Sequence, residues 1–239
     1  FEICFAAQRT GLFFTAMSTR LSAQEAEYII GDCGATLLIV SASLAGQAAE
    51  LLGRNPAVTQ RFAVGGALPG HAAWEPAVAA QPATRFADES AGRDMLYSSG
   101  TTGRPKGVKT ELLDEAIDAP GPLMNVAATL YDLGSDSIYL SPAPLYHAAP
   151  LRFNMTVLRL GGTSVIMEHF DAEEALALIE RHRITHSQWV PTMFVRMLKL
   201  PPDIRARYDH ASLRVAIHAA APCPVEVKQG MIDWWGPVL

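Results

Sequence analysis

The most constraining feature of this sequence is a regular alternation of strand-like apolar runs with segments of helical character. The strand-like runs lie at 12–16, 37–40, 62–64, 94–97, 137–140, 163–167, 185–190 and 215–217. Strands that alternate with helices form parallel sheets under helical cover, because each parallel connection must cross back over the sheet. We therefore predict an α/β fold with two parallel-sheet, flavodoxin-like βαβ subdomains, residues 1–115 and 116–239.

Local signals predict where several helices begin and end. Ser22 and Glu25 have the spacing of a capping box, and Asp171 precedes two glutamates that suit the first turn of a helix. Continuous apolar residues at 37–40 predict a strand covered on both faces. The predicted helices are 2–9, 22–30, 44–52, 71–80, 112–130 with a break at its prolines, 151–160, 171–183, one from Pro191, and one that has Pro224 at its first position.

Composition excludes several classes of protein. The 239 residues are 49% hydrophobic and carry a net charge of -5, which predicts a globular protein without a nucleic-acid surface. The longest apolar runs fall short of the ~20 residues that span a bilayer. Three distant cysteines predict small buried thiols in a reducing cytosol rather than disulfides or zinc ligands. Oligomeric state stays open.

The start at Phe1 has neither an initiator methionine nor a basic segment, and it reads like the middle of a helix. We therefore expect no signal peptide, and we expect this chain to be an internal piece of a longer protein.

Residues 97–108, with the sequence YSSGTTGRPKGV, combine hydroxyls, glycines and a lysine directly after a predicted strand. Glycines let the backbone approach a ligand closely, and successive N–H groups and hydroxyls can surround an anion. Lys106 adds a compact positive charge. The segment is not a Walker A loop, because Pro105 precedes the lysine and Gly107 follows it. These residues predict a polyphosphate-binding loop.

Two further segments follow predicted strands, where ligands of parallel sheets bind. Residues 142–150 contain three prolines that would hold His147 in one place. Residues 218–222 contain small side chains that would leave room for a flat ring against the backbone.

The sequence YSSGTTGRPKG closely resembles the phosphate-binding signature of the adenylate-forming enzymes, which include acyl- and aryl-CoA synthetases, firefly luciferase and the adenylation domains of nonribosomal peptide synthetases. Residues 144–147 resemble the family segment whose histidine lies near the reacting carboxylate. Residues 218–222 resemble the turn on which adenine rests, although Ala219 and Ala220 stand where glycines are common. Residues 189–192 resemble a strand end near the acyl pocket.

The resemblance implies that the chain is an incomplete N-terminal domain of an AMP-forming acid–CoA ligase. Such ligases use ATP, Mg²⁺ and coenzyme A, and the resemblance implies a role in fatty acid metabolism. It implies catalytic roles for Lys106 and His147. The residues implied to bind ATP are Ser98, Ser99, Gly100, Thr101, Thr102, Gly103, Lys106, Ala219, Ala220, Ala221 and Pro222. Those implied to contact the acid are His147, Ala148, Ala149 and Trp189. The hydroxyls implied to bind Mg²⁺ are those of Ser98, Thr101 and Thr102.

Other functional residues of the family are expected beyond Leu239, so we expect the chain by itself to be inactive. Two alternatives stay open. One is a nonribosomal-peptide-type adenylation domain, whose acceptor is a carrier protein, and the other is a non-catalytic nucleotide-binding module. The sequence does not identify the carboxylic acid.

Overall fold

The computed structural model describes residues 1–85, 87–98 and 104–239. The chain divides into two compact units, Phe1–Ala119 and Pro120–Leu239. Both units contain parallel strands joined through helices, which confirms the predicted α/β class.

The first unit is built from short strands and helices that alternate along the chain. Its elements are α1 (Glu2–Arg9), β1 (Phe13–Phe14), α2 (Ala23–Asp32), β2 (Leu37–Ser41), a 3₁₀ turn (Ala42–Leu44), α3 (Ala45–Leu51), β3 (Gln60–Val64), β4 (Ala72–Ala73), α4 (Trp74–Ala79), β5 (Arg93–Asp94), β6 (Leu96–Ser98) and β7 (Lys106–Val108). Strands β2, β3 and β4 pair in parallel in that order, and β1 pairs in parallel with β5.

Helix α2 begins at the predicted capping box. The Ser22 hydroxyl accepts a hydrogen bond from the Glu25 backbone N–H at 3.3 Å, and the Glu25 carboxylate accepts one from the Ser22 N–H at 2.8 Å. These bonds satisfy two donors that the helix end would otherwise leave unpaired. The inner face of α2 packs Ala26 and Ile30 against Leu38 of β2.

The segment that leads into β5 is anchored to α1 and the turn after it. Gly92 donates from its N–H to the Gln8 carbonyl at 2.7 Å. A Cβ at position 92 would lie 2.3 Å from the Leu12 carbonyl oxygen, so only glycine fits there. Glu89 adds ion pairs with Arg9 and Arg85. This anchoring places strand β5 beside β1.

Three predictions for the first half of the chain were wrong in detail. The helix predicted at 71–80 begins only at Trp74, because Pro76 is tolerated in a first turn but not in a helix interior. Residues 112–119 are not helical, and the helix there begins after Gly121. Strand β2 is not covered on both faces, since Leu37 is 41% exposed while Leu38 is buried.

The structure describes every residue of the second unit. Its elements are α5 (Pro122–Leu130), β8 (Ile138–Ser141), α6 (Ala148–Arg159), β9 (Thr163–Ile166), α7 (Ala172–His182), β10 (His186–Trp189), α8 (Pro191–Leu198), α9 (Pro202–Arg205), β11 (Val215–His218) and α10 (Val225–Trp235). Within it a parallel sheet has the strand order β11-β10-β8-β9. Helix α6 begins one turn earlier than predicted, and Pro224 caps α10 instead of occupying its first position.

The core of the second unit lies between this sheet and helices α7, α8 and α10. Its largest side chains include Trp189, Phe194 and Trp235, whose rings lie 5.6 to 6.1 Å apart. Asp171 caps α7 as predicted, and its carboxylate accepts hydrogen bonds from the N–H groups of Glu173 and Glu174. In the part of the chain that the structure describes, no helix combines the length and apolar character needed to cross a membrane.

A buried histidine ties helix α5 to the sheet. The Nε2 of His186 lies 2.8 Å from the Tyr131 carbonyl oxygen, which can only accept, so this nitrogen carries the proton. The other ring nitrogen then accepts from the Thr185 hydroxyl at 2.8 Å. Burial lowers the pKa of His186, while the Tyr131 carbonyl acts in the opposite direction. Folding therefore favours the neutral imidazole.

We predict that the free energy of unfolding falls as the pH is lowered through about 6.5, because the unfolded chain then binds a proton that folded His186 resists. His186→Gln, which keeps a donor for Tyr131, should weaken this dependence. Urea unfolding between about pH 7.5 and about pH 5.5 measures it in both proteins. The neighbouring charged residues Asp132, Asp136 and Arg214 are present in both proteins, so their own contributions cancel when the two pH dependences are compared. Equal pH dependence in the two proteins would contradict the assignment.

Candidate functional site

The predicted phosphate-binding segment begins and ends in an antiparallel strand pair. Tyr97 lies opposite Gly107, and Ser98 lies opposite Lys106. This pairing brings the Cα atoms of Ser98 and Lys106 to about 5 Å from each other. Strand β7 was missed in the sequence, because Lys106–Val108 is short and follows glycine and proline. We call β6 and β7 together the hairpin.

Glycine at position 107 lets the side chains of Met95 and Tyr97 lie against the backbone of this hairpin. A Cβ there would lie 2.9 Å from Cζ of Tyr97 and 2.6 Å from Cε of Met95. The Tyr97 ring therefore lies directly across the backbone of β7, one residue from Lys106. Any larger residue at position 107 would displace the tyrosine or the strand.

The hairpin presents two of the predicted ATP-binding residues. Ser98 and Lys106 are both exposed, so the ammonium group and the hydroxyl are accessible to a ligand. The other predicted residues of this segment lie outside the described residues, and their roles stay predictions. They are Ser99, Gly100, Thr101, Thr102 and Gly103.

The proposed Mg²⁺ ligands of this segment are Ser98, Thr101 and Thr102, of which the structure describes only Ser98. Among residues 1–85, 87–98 and 104–239, no group of three His, Cys, Asp or Glu side chains could hold a metal ion. One hydroxyl opposite a lysine does not form a magnesium site, since Mg²⁺ prefers several oxygen ligands. The described residues therefore do not by themselves fit a resident ion.

In the second unit, the segments predicted to bind ligand lie at one edge of the sheet. Strand β10 pairs in parallel with both β8 and β11, so all three carboxyl ends point the same way. Residues 142–147 leave the end of β8, and residues 219–222 leave the end of β11. With one strand between them, these two exits are about 10 Å apart. This edge is the expected ligand position of a parallel sheet.

His147 caps the N-terminus of α6, and Ala148 and Ala149 form the first turn of that helix. The positive end of the helix dipole therefore lies at the same edge of the sheet. The His147 side chain is largely exposed, and the partial loss of water around its ring lowers its pKa, which favours a neutral imidazole. Its ring centroid lies 4.3 Å from that of Tyr146. A neutral histidine at a helix N-terminus can donate a hydrogen bond to a carboxylate without forming an ion pair.

A residue that the sequence analysis missed holds this helix on the sheet. The buried side chain of Asn154 donates hydrogen bonds to the Ser141 hydroxyl at 2.8 Å and to the Pro150 carbonyl at 2.7 Å. It thereby connects the second turn of α6 to the last residue of β8. The available signal was an asparagine between two apolar residues, Phe153 and Met155.

The predicted adenine turn continues from β11. Ala219 donates from its N–H to the Trp189 carbonyl at 3.1 Å, which extends the parallel ladder by one residue. Ala220 then has φ of 71°, in the left-handed region that disfavours residues with a Cβ. Ala220, Ala221 and Pro222 are exposed. The alanine that departs from the glycine pattern therefore occupies a glycine-like conformation.

Trp189, which we predicted near the acid pocket, is 1% exposed in the core of the second unit. Its Nε1 donates to the Ser187 hydroxyl at 2.7 Å, and its ring contacts those of Phe194 and Trp235. This position shows a packing role. Contact between its side chain and a substrate stays a prediction.

The structure therefore places the predicted residues in two groups. In the first unit, Ser98 and Lys106 face each other across the hairpin. In the second unit, the segment of His147 and the turn at Ala219–Pro222 leave the same sheet edge, on either side of the end of β10.

Comparisons with known proteins show the family of the chain. Residues 1–239 match the family described as AMP-binding enzyme. Feruloyl-CoA synthase from Amycolatopsis sp is 30% identical over 237 residues, which are 97% of this chain and 44% of that protein.

Solved structures show the same fold. The amide bond synthetase McbA from Marinactinospora thermotolerans is similar with a TM-score of 0.80 at 24% identity, over 99% of this chain and 46% of that one. The anthranilate CoA ligase AuaEII, solved in complex with anthranoyl-AMP, is similar with a TM-score of 0.74 at 25% identity, over 92% and 43% of the two chains. The chain spans less than half the length of these proteins.

The left-handed backbone at Ala220 leads to a stability prediction. Ala220→Gly should raise the free energy of unfolding by up to about 1 kcal/mol, because relief of strain exceeds the entropy that glycine adds to the unfolded chain. Ala219→Gly is the matched control. Since φ at Ala219 is not positive, this change should lower stability by about 0.4–1 kcal/mol. Urea unfolding measures both variants, and equal destabilisation by the two changes would contradict the left-handed assignment.

Proposed function

Because the chain belongs to the AMP-binding enzyme family, as its resemblance to the adenylate-forming enzymes predicted, we propose that it is part of an AMP-forming acid–CoA ligase. The observation that carries the proposal is the family match over residues 1–239. In the proposed reaction, a carboxylate oxygen attacks the α-phosphorus of ATP and pyrophosphate leaves. The thiol of coenzyme A then attacks the acyl carbon, and AMP leaves.

In the first unit, we assign the binding of ATP phosphates to the hairpin and the residues that follow Ser98. Adenylation separates charge onto pyrophosphate, so a fixed positive group near the leaving phosphates lowers the barrier. The exposed ammonium group of Lys106 suits that role. Arg104 adds positive charge two residues before it, which attracts an anion from solution.

In the second unit, we assign the acid to the segment that contains His147 and the adenine to the turn at Ala219–Pro222. A neutral imidazole at the start of α6 can hold a carboxylate by hydrogen bonding. A strong ion pair, by contrast, would lower the nucleophilicity of the carboxylate. The small side chains of Ala219 and Ala220 leave the backbone accessible to a flat ring. Ala148 and Ala149 would contribute small surfaces to the acid pocket.

The names of similar proteins guide the choice of acid. Feruloyl-CoA synthase and the anthranilate CoA ligase AuaEII act on aromatic acids by name, so we propose an aryl or arylpropenoic acid before a fatty acid. We place the enzyme in the cytoplasm, since Cys4, Cys33 and Cys223 are free thiols in the described chain.

Acid-dependent ATP–pyrophosphate exchange by the complete protein tests the proposal. Aromatic, fatty and amino acids should be compared at saturating ATP, with coenzyme A omitted. We expect exchange with at least one carboxylic acid, and the aryl acids should give the highest rate. Exchange only with amino acids would favour the nonribosomal-peptide-type alternative. ATP binding without exchange for any acid would show a non-catalytic module and refute the proposal.

We predict that Lys106→Ala slows exchange in the complete protein by at least ~10²-fold, because this charge counts most while pyrophosphate departs. Lys109→Ala is the matched control. The ammonium group of Lys109 lies 4.8 Å from the centroid of the Phe13 ring, so its charge has a different partner and its loss should cost little. Equal losses of exchange rate in the two variants would mean that Lys106 contributes only to the general positive potential of this segment.

We further predict that residues 1–239 expressed alone show no detectable exchange. More than half of the length of feruloyl-CoA synthase lies outside the match, and positioning contributes ~7–11 kcal/mol in reactions of this kind. ATP should bind in the millimolar range, about -4 kcal/mol, because exposed phosphate contacts are screened by salt. Calorimetry of this chain with ATP measures the affinity. Micromolar ATP binding or acid-specific exchange would show that residues 1–239 contain more of the active site than we expect.

A further inference from the structure

Helix α2 carries two side chains that reach the hairpin. Tyr28 and Asp32 are four residues apart, so they lie on one face of the helix, one turn from each other. The face that packs into the core is a different one, formed by Ala23, Ala26 and Ile30. Tyr28 and Asp32 are therefore available for contacts that the core packing of α2 does not require.

Asp32 binds the first strand of the hairpin. The Tyr97 hydroxyl donates a hydrogen bond to Oδ2 of Asp32 at 2.5 Å, the length expected when the acceptor is charged. Burial, together with this carboxylate, raises the pKa of Tyr97, so the hydroxyl keeps its proton. The same ring packs across Gly107, so one tyrosine links α2 to both strands of the hairpin.

Tyr28 binds the other end of the segment. The guanidinium carbon of Arg104 lies 5.3 Å from the centroid of the Tyr28 ring, within the range of a cation–π contact. Arg104 lies two residues before Lys106, whereas Tyr97 lies one residue before Ser98. The two contacts therefore bracket the segment to which we assign the phosphates.

The position of Asp32 supports a role beyond helix stability. It is the last residue of α2, where a negative charge opposes the helix dipole. A carboxylate is thus unfavourable for the helix itself, and the partner that compensates for it in the structure is Tyr97.

We propose that Tyr28 and Asp32 are positioning residues, which hold the hairpin and the adjoining Arg104 on helix α2 so that Lys106 and Ser98 are presented in one arrangement. Because these contacts already order the hairpin, less conformational entropy is lost when ATP binds. The contacts themselves are independent of function, but their consequence for ATP rests on the proposed function.

The placement is tested first on the chain of residues 1–239 by hydrogen exchange. Asp32→Ala and Tyr97→Phe should each speed the exchange of hairpin amides about tenfold, since each removes one charge-assisted hydrogen bond. Amides of β2 and β3 should not change. Glu27→Ala is the matched control on the same helix, because Glu27 pairs with Arg54 at 3.0 Å. Unchanged hairpin exchange in both variants would overturn the proposal.

The consequence for ATP is tested by pyrophosphate exchange in the complete protein. Asp32→Ala should raise KM for ATP about tenfold and leave KM for the acid unchanged, whereas a general loss of folding would change both. Adding Tyr97→Phe should have little further effect, because both changes remove one bond. Tyr28→Leu should raise KM for ATP, and Tyr28→Phe, which keeps a ring for Arg104, should restore it.

The outcomes separate the two proposals. Equal increases of both KM values, or additive effects of Asp32→Ala and Tyr97→Phe, would overturn the positioning role. If the unaltered complete protein shows no acid-dependent exchange, the proposed function fails, and the hydrogen-exchange result still decides whether α2 holds the hairpin.

Discussion

Parallel pairing of strand β10 with both β8 and β11 is the constraint on which the candidate site of the second unit depends. Parallel strands joined by crossover helices end at one edge, so residues distant in sequence leave the sheet side by side. The segment of His147 follows β8, and the turn predicted to bind adenine begins 72 residues later (219 − 147) at the end of β11. The hydrogen bond from Ala219 to Trp189 shows that this pairing continues into the turn itself.

In each unit, local details near the predicted site residues carry some cost to stability. Ala220 adopts a left-handed conformation that a glycine would accept without strain. Asn154 is buried to connect α6 with Ser141, and Asp32 ends α2 with a charge that opposes the dipole. Each of these features is unfavourable locally, a pattern expected where proteins bind ligands.

The sequence predicted the class of fold, the caps of α2 and α7 and the order of strands along the chain, because these follow from short-range patterns. It did not predict strand β7, whose pairing of Lys106 with Ser98 is a tertiary contact around a glycine-rich segment. The hydrogen bond from Tyr97 to Asp32 crosses 65 residues and has no local signature. Likewise, the aromatic residues around Trp189 decide its burial, whereas the motif around it suggested a pocket.

The central claim is that a carboxylate oxygen of the acid attacks the α-phosphorus of ATP. Incubation of the complete protein with ATP, coenzyme A and an aryl acid labelled with ¹⁸O in its carboxylate tests this directly. When the thiol displaces AMP from the acyl-adenylate, the bridging oxygen remains on phosphorus. Mass spectrometry should therefore find one ¹⁸O atom in each AMP formed. Unlabelled AMP, or ADP with labelled phosphate, would contradict the account.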